Sequence, residues 1–185
     1  MAEQYKVNEI FYSLQGEGFY TGTPAVFLRF SGCNLRCGFC DTHHEEYVEY
    51  TLRDIIGKVS EYPSRHIVIT GGEPSLQMDD ALVDALHLAG FYIQVETNGT
   101  HTLPEDVDWV TCSPKGSARV KLSRIDELKI VYLGQDVESI ASAHEAQHYF
   151  LQPCSGENTA AVIAYILDHP HWRLSLQTHK LLNIQ

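Results

Sequence analysis

The stretch Gly32-Cys33-Asn34-Leu35-Arg36-Cys37-Gly38-Phe39-Cys40-Asp41 holds three of the five cysteines of the 185-residue chain. Thiolate sulfur is a soft ligand that suits zinc, Cu(I) and iron–sulfur clusters, and a C-x3-C-x2-C loop can direct three sulfurs at one centre. A closed structural site takes four protein ligands, whereas a site that does chemistry keeps one position open. Three cysteines therefore favour a [4Fe–4S] cluster held by Cys33, Cys37 and Cys40, with one iron left open.

Two other interpretations of the cysteine loop stay open. A structural zinc site would need a fourth ligand, which His43 or His44 could supply. A disulfide framework is disfavoured, because five is an odd number of cysteines and the chain is long enough to fold without disulfide bonds. Cys112 and Cys154 are isolated in the sequence, and no function is assigned to them.

The composition excludes several classes of protein. A chain of 185 residues with 44% hydrophobic residues suits a single domain, residues 1–185, with a sizeable core. A net charge of −11 argues against general attraction to nucleic acid or to anionic membranes. The sequence contains neither a signal-peptide pattern nor an apolar run of membrane-spanning length. We therefore expect a cytoplasmic protein with no nucleic-acid or membrane partner.

Strand-like apolar runs alternate with helical patterns along the chain. The predicted strands are 25–30, 66–70, 91–96, 109–112, 128–133 and 149–152, with a last extended segment at 173–178. The predicted helices are 52–59, 78–89 and 159–167, with a weaker one at 137–147. Repeated strand–crossover–strand order favours parallel pairing, and a full eight-unit barrel needs about 250 residues. The pattern predicts an α/β fold, a reduced partial (β/α) barrel of about six parallel strands and about three main helices.

Polar or glycine-rich segments follow the predicted strands, which is where barrel enzymes gather their active-site residues. These segments are the cysteine loop, Gly71-Gly72-Glu73, Glu96-Thr97-Asn98-Gly99, Ser113-Pro114-Lys115 and Gln152-Pro153. Glycine lets the backbone approach a ligand closely, and Glu73 can accept from an ammonium group. The alternatives are ordinary turns and, for Lys115, a solvated surface lysine.

Two sets of motifs resemble known families. The C-x3-C-x2-C loop followed by Gly71-Gly72-Glu73-Pro74 resembles the radical S-adenosylmethionine (SAM) superfamily. Three further segments resemble the 7-carboxy-7-deazaguanine synthase family, and they are Phe11–Gly18 with Gly22-Thr23-Pro24, Cys40-Asp41-Thr42, and Gln177–Lys180. This resemblance extends from about residue 8 to the last residue.

The resemblance implies cofactors, a substrate and the residues that bind them. The three cysteines would hold a [4Fe–4S] cluster whose fourth iron binds the amino and carboxylate groups of SAM. The candidate SAM residues, several of them chosen by their position at strand ends, are Gly71, Gly72, Glu73, Gly99, Ser113, Pro114, Lys115 and Gln152. The candidate residues for the substrate 6-carboxy-5,6,7,8-tetrahydropterin are Leu14, Gln15, Gly16, Glu17, Arg29, Thr97, His179 and Gln185. Thr42 matches the family's protein ligand for Mg²⁺.

The side-chain chemistry agrees with these assignments but leaves alternatives. Arg29 presents a planar fork that matches a carboxylate, and its alternative is a structural ion pair with Glu96 or Glu17. Glu17 can accept two N–H donors of the pterin edge, or it lies in an ordinary surface turn. His179 alone is more often a packed or solvent-facing histidine. A terminal carboxylate at Gln185 would accept from the same N–H edge, unless the last residues fray.

The family resemblance also implies a reaction. An external one-electron donor such as flavodoxin or ferredoxin reduces the cluster, and SAM is cleaved to methionine and a 5′-deoxyadenosyl radical that takes hydrogen from C6 of the pterin. Ring contraction and loss of ammonia give 7-carboxy-7-deazaguanine, a precursor in queuosine biosynthesis for tRNA modification. The implied enzyme is a homodimeric carbon–nitrogen lyase, and no residue is assigned as general acid or base.

Two rival functions share part of the pattern. A small radical SAM activase that installs a glycyl radical on a partner protein would need the cysteine loop and Gly71-Gly72-Glu73, but not Gln15, Glu17 and Arg29 around a small ligand. A non-enzymatic zinc- or cluster-binding electron carrier would not need the polar residues at the strand ends.

Overall fold

The computed structural model describes residues 4–38, 40 and 45–185, and within them one nine-stranded sheet runs through the chain. The strands are β1 Tyr5–Leu14, β2 Pro24–Phe30, β3 Val48–Tyr50, β4 His66–Gly71, β5 Tyr92–Thr97, β6 Trp109–Cys112, β7 Glu127–Tyr132, β8 His148–Pro153 and β9 Arg173–Leu174. The helices are α1 Leu52–Ser60, α2 Asp80–Leu88, α3 Val137–Ala143, α4 Thr159–Asp168 and α5 Thr178–Leu182, with a short 3-10 helix at Pro74–Leu76. The strand order is β3-β1-β2-β4-β5-β6-β7-β8-β9.

The sheet is mostly parallel. Strand β1 pairs antiparallel with β2 and β3, whereas every pair from β2 to β9 is parallel. The prediction of an α/β fold with a mostly parallel sheet and few helices is therefore confirmed. None of the helices in the described part of the chain combines the length and apolar character needed to cross a membrane.

One face of the sheet is apolar and covered by helices. On β2, Val26, Leu28 and Phe30 pack in one cluster with Ile55 of α1 and Leu82 of α2. A second cluster, formed mainly by β7, β8, α3 and α4, joins Leu128, Leu151, Val137, Val162 and Trp172. These residues hold the sheet and its outer helices together, since each fully buried aliphatic side chain contributes roughly 1.5–3 kcal/mol.

The opposite face carries polar and charged side chains. Side chains alternate between the two faces of a strand, so the neighbours of the apolar residues point the other way. This places Arg29 of β2, Glu96 of β5, Lys129 of β7 and Gln152 of β8 on one surface, where all four line the same cavity. The same strands thus supply both the core and the wall of a polar site.

Strand β1 is missing from the sequence prediction, which took 25–30 as the first strand. The reason is a register shift between Val7 and Glu9, where a β-bulge interrupts the pairing with β2. Tyr5 and Val7 join the helix-side core before the shift, whereas Phe11 joins a small cluster on the cavity side after it. A bulge reverses the alternation, so no regular period of two is visible in the sequence.

Helix boundaries agree with the predictions to within a few residues, and the last extended segment needs a correction. Thr51 and Asp54 cap α1 reciprocally, and Gly90 with φ +82° follows the end of α2. Asn158 precedes α4 but makes no side-chain capping bond; its amide donates to the Tyr132 carbonyl instead. The last extended segment, predicted at 173–178, is a strand only at Arg173–Leu174, and its predicted last residue begins helix α5.

The loop between β1 and β2 closes the amino-terminal end of the parallel strands with aromatic rings. Phe19 stacks on His148 and tilts against Trp109, with ring centroids 4.5 and 4.9 Å apart. Tyr20 packs edge-on against His66, and its hydroxyl lies 2.8 Å from that of Tyr92. His66, Tyr92, Trp109 and His148 are the first residues of β4, β5, β6 and β8. The loop thus forms an aromatic floor beneath the polar face.

The chain from Ser175 to Gln185 links the far end of the sheet back to β1. Ser175 donates its N–H to the carbonyl of Leu151 at 2.9 Å, and Thr178 donates to the carbonyl of Gly16 at 2.9 Å. Ser13 donates its hydroxyl to the backbone carbonyl of Gln185 at 2.5 Å. This segment therefore forms one side wall of the polar cavity.

A glycine at the end of β4 is required by the backbone packing. Gly71 has φ +131°, and a Cβ there would lie 2.1 Å from the carbonyl oxygen of Phe30. We expect Gly71→Ala to destabilise the protein by at least about 1–3 kcal/mol, the usual cost of such backbone strain. Gly57→Ala is the matched control: Gly57 lies exposed within α1 with open space around its Cα, so alanine should stabilise by about 0.5–1 kcal/mol. Thermal unfolding of both variants should shift in opposite directions, and equal Tm values would contradict the packing argument.

Candidate active site

The polar face of the sheet borders a cavity of about 690 Å³. Most of the residues predicted from the sequence line it. These are Leu14, Gln15, Gly16, Glu17, Arg29, Cys33, Cys37, Cys40, Gly71, Gly72, Thr97, Ser113, Lys115, Gln152, His179 and Gln185. Residues from the whole length of the chain therefore meet in one place.

Three predicted residues of the described part of the chain are not part of this wall. Glu73, Gly99 and Pro114 lie close in sequence to residues that line the cavity, but they do not line it themselves. Gly99 instead packs in the core, where a Cβ would lie 2.8 Å from the sulfur of Cys112. Thr42, the predicted Mg²⁺ ligand, lies outside the described residues.

The cysteine loop begins directly after β2 and faces the cavity. Burial raises the pKa of the Cys33 thiol, while the Leu35 N–H, which donates to its sulfur at 3.4 Å, acts in the opposite direction. Three thiols on one loop at the edge of a cavity form a donor set that fits an iron–sulfur cluster with an open position. None of the five cysteines, all of which lie in the described residues, forms a disulfide, so the disulfide interpretation is not supported.

The described residues contain no group of three or more His, Cys, Asp and Glu side chains gathered for a single metal ion. His43 and His44, which the zinc interpretation requires, lie outside those residues. The two isolated cysteines differ from each other, because Cys112 is fully buried whereas Cys154 lines the cavity.

The glycine pair after β4 packs against the strand that leads into the cysteine loop. Gly72 donates its N–H to the Phe30 carbonyl at 3.1 Å, and Glu73 donates its N–H to the Gly32 carbonyl at 2.9 Å. A Cβ on Gly72 would lie 2.0 Å from the Gly32 oxygen. The two glycines are thus needed for contact with another backbone, in addition to the approach to a ligand that the sequence suggested.

Glu73 is completely buried and its carboxylate is engaged within the protein. One oxygen accepts from the hydroxyls of Thr97 and Ser75, each at 2.6 Å, and the other accepts from the Asn98 N–H at 2.7 Å. Asn98 in turn donates its side-chain amide to Asn34 of the cysteine loop at 3.1 Å. In this arrangement Glu73 ties the end of β5 to the cysteine loop, a function that its sequence motif did not reveal.

Arg29 is paired, but with neither of the partners considered from the sequence. Its Nε lies 2.7 Å from Oε1 of Glu9, the residue opposite it on β1. The other oxygen of Glu9 accepts from the side-chain amide of Gln185 at 2.7 Å. Because the Glu9 contact uses Nε, the two terminal nitrogens of the guanidinium remain suitable for bidentate binding of a second carboxylate.

Glu17 and Glu96 are bridged by Lys129, a residue that the sequence analysis did not single out. The Lys129 ammonium lies 2.6 Å from a carboxylate oxygen of each glutamate, and its side chain is only 4% exposed. Burial alone would lower the pKa of Lys129, but the two carboxylates raise it well above its ordinary value. A signal was present, because a lysine within the apolar run 128–133 is costly to bury unless it is paired.

Two further groups complete the wall. Lys115 donates to the hydroxyl of Ser113 at 2.7 Å, and burial lowers the pKa of Lys115, with Lys129 acting in the same direction. Gly16 approaches His179 so closely that a Cβ would lie 2.2 Å from Nδ1 of the imidazole. The loop after β1 and helix α5 therefore meet through a glycine, which brings His179 to the cavity.

Comparison with known proteins identifies the class of this site. The model of the Radical SAM superfamily matches residues 28–166, more than half of the chain. The chain is therefore a member of this superfamily, and membership implies a [4Fe–4S] cluster and SAM as cofactors. The cysteine loop, which follows β2, lies within the matched residues.

Its relatives narrow the class further. The chain is 60% identical over 97% of its length to the 7-carboxy-7-deazaguanine synthase of Bacteroides thetaiotaomicron, covering 98% of that protein. It is 44% identical over 97% of its length to the enzyme of the same name from Bordetella pertussis, covering 99% of that protein. The crystal structure of QueE from Escherichia coli superimposes with a TM-score of 0.81 at 33% identity, covering 94% of this chain and 93% of that one. The chain belongs to the 7-carboxy-7-deazaguanine synthase family, and the predicted partial barrel of radical SAM type is confirmed.

Single replacement of the loop cysteines tests the cofactor site. Cys33→Ala, Cys37→Ala or Cys40→Ala should each lose activity and the visible iron–sulfur absorbance of anaerobically purified protein, because a three-thiolate site has no spare ligand. Cys154→Ala is the matched control, since Cys154 also lines the cavity but lies on a different element. Loss of the absorbance in Cys154→Ala, with retention in Cys37→Ala, would overturn the ligand assignment.

Glu127 makes the stability of the fold depend on pH. It is 1% exposed, and burial raises its pKa from 4.5 to about 7, although Lys129 and the Phe19 N–H act in the opposite direction. The folded protein therefore keeps this proton up to about pH 7, whereas the unfolded chain loses it near pH 4.5. The contribution of Glu127 to the free energy of unfolding is fully present below pH 4.5 and is lost as the pH rises through about 7. The loss is on the order of 3 kcal/mol.

Glu127→Gln should remove this dependence, because an amide keeps an acceptor for the Phe19 N–H and does not titrate. We expect the Tm of the variant to exceed that of the wild type at pH 7.5 by more than at pH 5. Anaerobic thermal unfolding at several pH values measures the difference, and a Tm difference that is independent of pH would show that Glu127 does not carry the effect.

Proposed function

We propose that the protein converts 6-carboxy-5,6,7,8-tetrahydropterin into 7-carboxy-7-deazaguanine with loss of ammonia, as a carbon–nitrogen lyase of queuosine biosynthesis. One observation carries the proposal: a single cavity combines the three loop cysteines with a guanidinium suited to a carboxylate and a wall of hydrogen-bond acceptors. The substrate has the complementary groups, since it bears a carboxylate at one end and a guanidine-like N–H edge at the other. The names of the relatives point to the same reaction.

Arg29 would bind the substrate carboxylate. Glu9 holds the guanidinium through Nε, and Gln185 in turn holds Glu9, so the fork has a defined orientation before any ligand arrives. A preorganised, partly buried fork favours bidentate binding over a flexible ammonium.

The N–H edge of the pterin would meet the opposite wall. Gln15, Glu17 and Thr97 line it together with Leu14, Gly16 and His179. Glu17 is fixed on both oxygens, by Lys129 at 2.6 Å and by the Gln177 amide at 2.9 Å. Each carboxylate has about four acceptor positions, so this fixed group can still accept from substrate N–H donors.

Cys33, Cys37 and Cys40 would hold the [4Fe–4S] cluster. SAM would lie between the cluster and the strand ends formed by Gly71, Gly72, Ser113, Lys115 and Gln152, with Glu73, Gly99 and Pro114 supporting those segments from outside the cavity. When bound, the cluster and SAM supply the one-electron chemistry that starts the ring contraction. The protein's own contribution is to orient the substrate and exclude water from it.

Further parts of the proposal concern components beyond the cavity. Thr42 would hold Mg²⁺ together with substrate oxygens and water. Such a ligand set suits Mg²⁺, a hard cation that dehydrates reluctantly. An external donor such as flavodoxin or ferredoxin would supply the electron, and the active form would be a homodimer. A reducing cytoplasm would keep the five thiols free.

An anaerobic incubation with SAM, reductant and 6-carboxytetrahydropterin tests the function directly. Mass spectrometry should find 7-carboxy-7-deazaguanine in an amount that exceeds the enzyme many times. Metal analysis of the same sample separates the rivals, because zinc without iron would indicate the electron-carrier alternative. A cluster-bearing protein that cleaves SAM but leaves the pterin unchanged would favour the activase.

Arg29→Lys tests the carboxylate site. Lysine keeps the charge but loses the fork, so kcat/KM for the pterin should fall by a factor that corresponds to about 2–3 kcal/mol, mainly through KM. The cluster absorbance should stay unchanged. Arg53→Lys, on the exposed side of α1, is the matched control and should leave both parameters at wild-type values. Unchanged kinetics in Arg29→Lys would restrict this residue to its ion pair with Glu9.

A further inference from the structure

A closed ring of hydrogen bonds lies in the cavity wall. Lys129 donates to Glu17 and to Glu96, both at 2.6 Å. The side-chain amide of Gln15 donates to the other oxygen of Glu96 at 2.9 Å, and its Oε1 accepts from the backbone N–H of Glu17 at 3.1 Å. Gln177 donates to the remaining oxygen of Glu17 at 2.9 Å. The ring joins the loop after β1, strands β5 and β7, and the segment before α5.

The ring contains two carboxylates and one ammonium that are largely shielded from solvent. The Lys129 side chain is 4% exposed, and those of Glu17 and Glu96 are 15% and 20% exposed. Burial alone would raise the pKa of Glu17, yet the ammonium of Lys129 and the hydrogen bond from Gln177 lower it. Without the ammonium, two neighbouring carboxylates would share a proton, as like charges at short distance do.

We propose that Lys129 is a specificity-determining positioning residue that holds Glu17 and Glu96 side by side as ionised groups. The wall then accepts hydrogen bonds and donates few. It selects a neutral heterocycle edge with adjacent N–H donors, such as a 2-amino-4-oxopyrimidine, and it disfavours edges that carry acceptors. This inference rests on the proposed function, because it assigns the pterin edge to this wall.

The inference predicts a change in pH dependence that a purely structural lysine would not cause. In Lys129→Met, one of the two carboxylates keeps a proton and presents an O–H donor to an edge made of donors. Binding then requires loss of that proton, so KM should be high at low pH and should fall as the pH rises. In the wild type the Lys129 ammonium pairs with both carboxylates, and KM should vary little from this cause.

Other titratable groups near the ring must be separated from this effect. Glu127 lies on the same strand and titrates near pH 7, while Lys115 and His179 also act on the ring through their charges. Measuring every variant in a Glu127→Gln background removes the nearest of these titrations. Lys129 itself lowers the pKa of Lys115, so its removal also changes that titration. The double variant Lys129→Met with Glu96→Gln lacks Lys129 in the same way but no longer has the pair of carboxylates, so it separates the two effects.

The experiment compares KM for 6-carboxytetrahydropterin from pH 6 to 8.5 in three variants. Lys129→Met should raise KM by roughly 10- to 100-fold at pH 6.5, the effect of losing one hydrogen bond to a charged group, and by less at pH 8.5. Lys129→Arg keeps the charge and should restore a flat profile even if KM is altered. The double variant Lys129→Met with Glu96→Gln removes one of the two like charges and should also give a flat profile.

Thermal unfolding and cluster absorbance of each variant show whether it has folded and carries its cofactor. A Lys129→Met profile parallel to the wild type overturns the inference while the proposed function stands. A wild type that does not convert the pterin overturns the proposed function, and the inference is then decided by titration with 6-carboxypterin. The inference is supported if the affinity for 6-carboxypterin depends on pH in Lys129→Met but not in the wild type. It is overturned if the probe does not bind or if its affinity depends on pH equally in both proteins.

Discussion

The contact between the backbones of β2 and β4 is the constraint on which the rest of the site depends. The two strands run parallel until Phe30 and Gly71 meet, and the chain beyond them continues in contact, because Gly72 and Glu73 donate to carbonyls on β2 and just after it. Only glycine permits two backbones to approach this closely. The cysteine loop therefore leaves the sheet from a fixed point, and the buried Glu73 fixes the end of β5 relative to it through Thr97 and Asn98.

The charges in the cavity differ from those of the protein as a whole. The chain carries a net charge of −11, yet Arg29, Lys115 and Lys129 all line the cavity. Burying a cation costs free energy unless it is paired, and each of the three has a polar partner on a neighbouring element or segment. The result is a site that can bind a carboxylate at Arg29 and still present acceptors at Glu17 and Glu96. An acidic surface contributes nothing to this selectivity, since the arrangement depends on distances of a few ångströms inside the sheet.

Much of the fold and of the candidate site could be predicted from the sequence, because local patterns encode them. Cysteine spacing, glycines after apolar runs and strand–crossover–strand order are properties of short segments. Three features could not be predicted for physical reasons. The bulge between Val7 and Glu9 reverses the alternation of β1 and hides the strand. The partners of Arg29 and Glu17 depend on register between strands far apart in sequence. Glu73 was expected at the cavity, but its buried carboxylate accepts hydrogen bonds from Thr97, Ser75 and Asn98 instead.

The two halves of the site differ in the sequence separation of the contacts that build them. The cofactor half depends on successive parallel strands, as in the contact of Glu73 with Thr97, which are 24 residues apart. The substrate half depends on contacts across almost the whole chain, such as Gln177 with Glu17 at a separation of 160 residues and Ser13 with Gln185 at 172. The contact of Ser13 with Gln185 is exposed whereas that of Glu73 with Thr97 is buried, and exposed contacts open more readily than buried ones. The exposed contacts of the substrate half would therefore open more readily than the buried ones of the cofactor half, and a substrate that bridges Arg29 and Glu17 would add contacts that hold the substrate half closed.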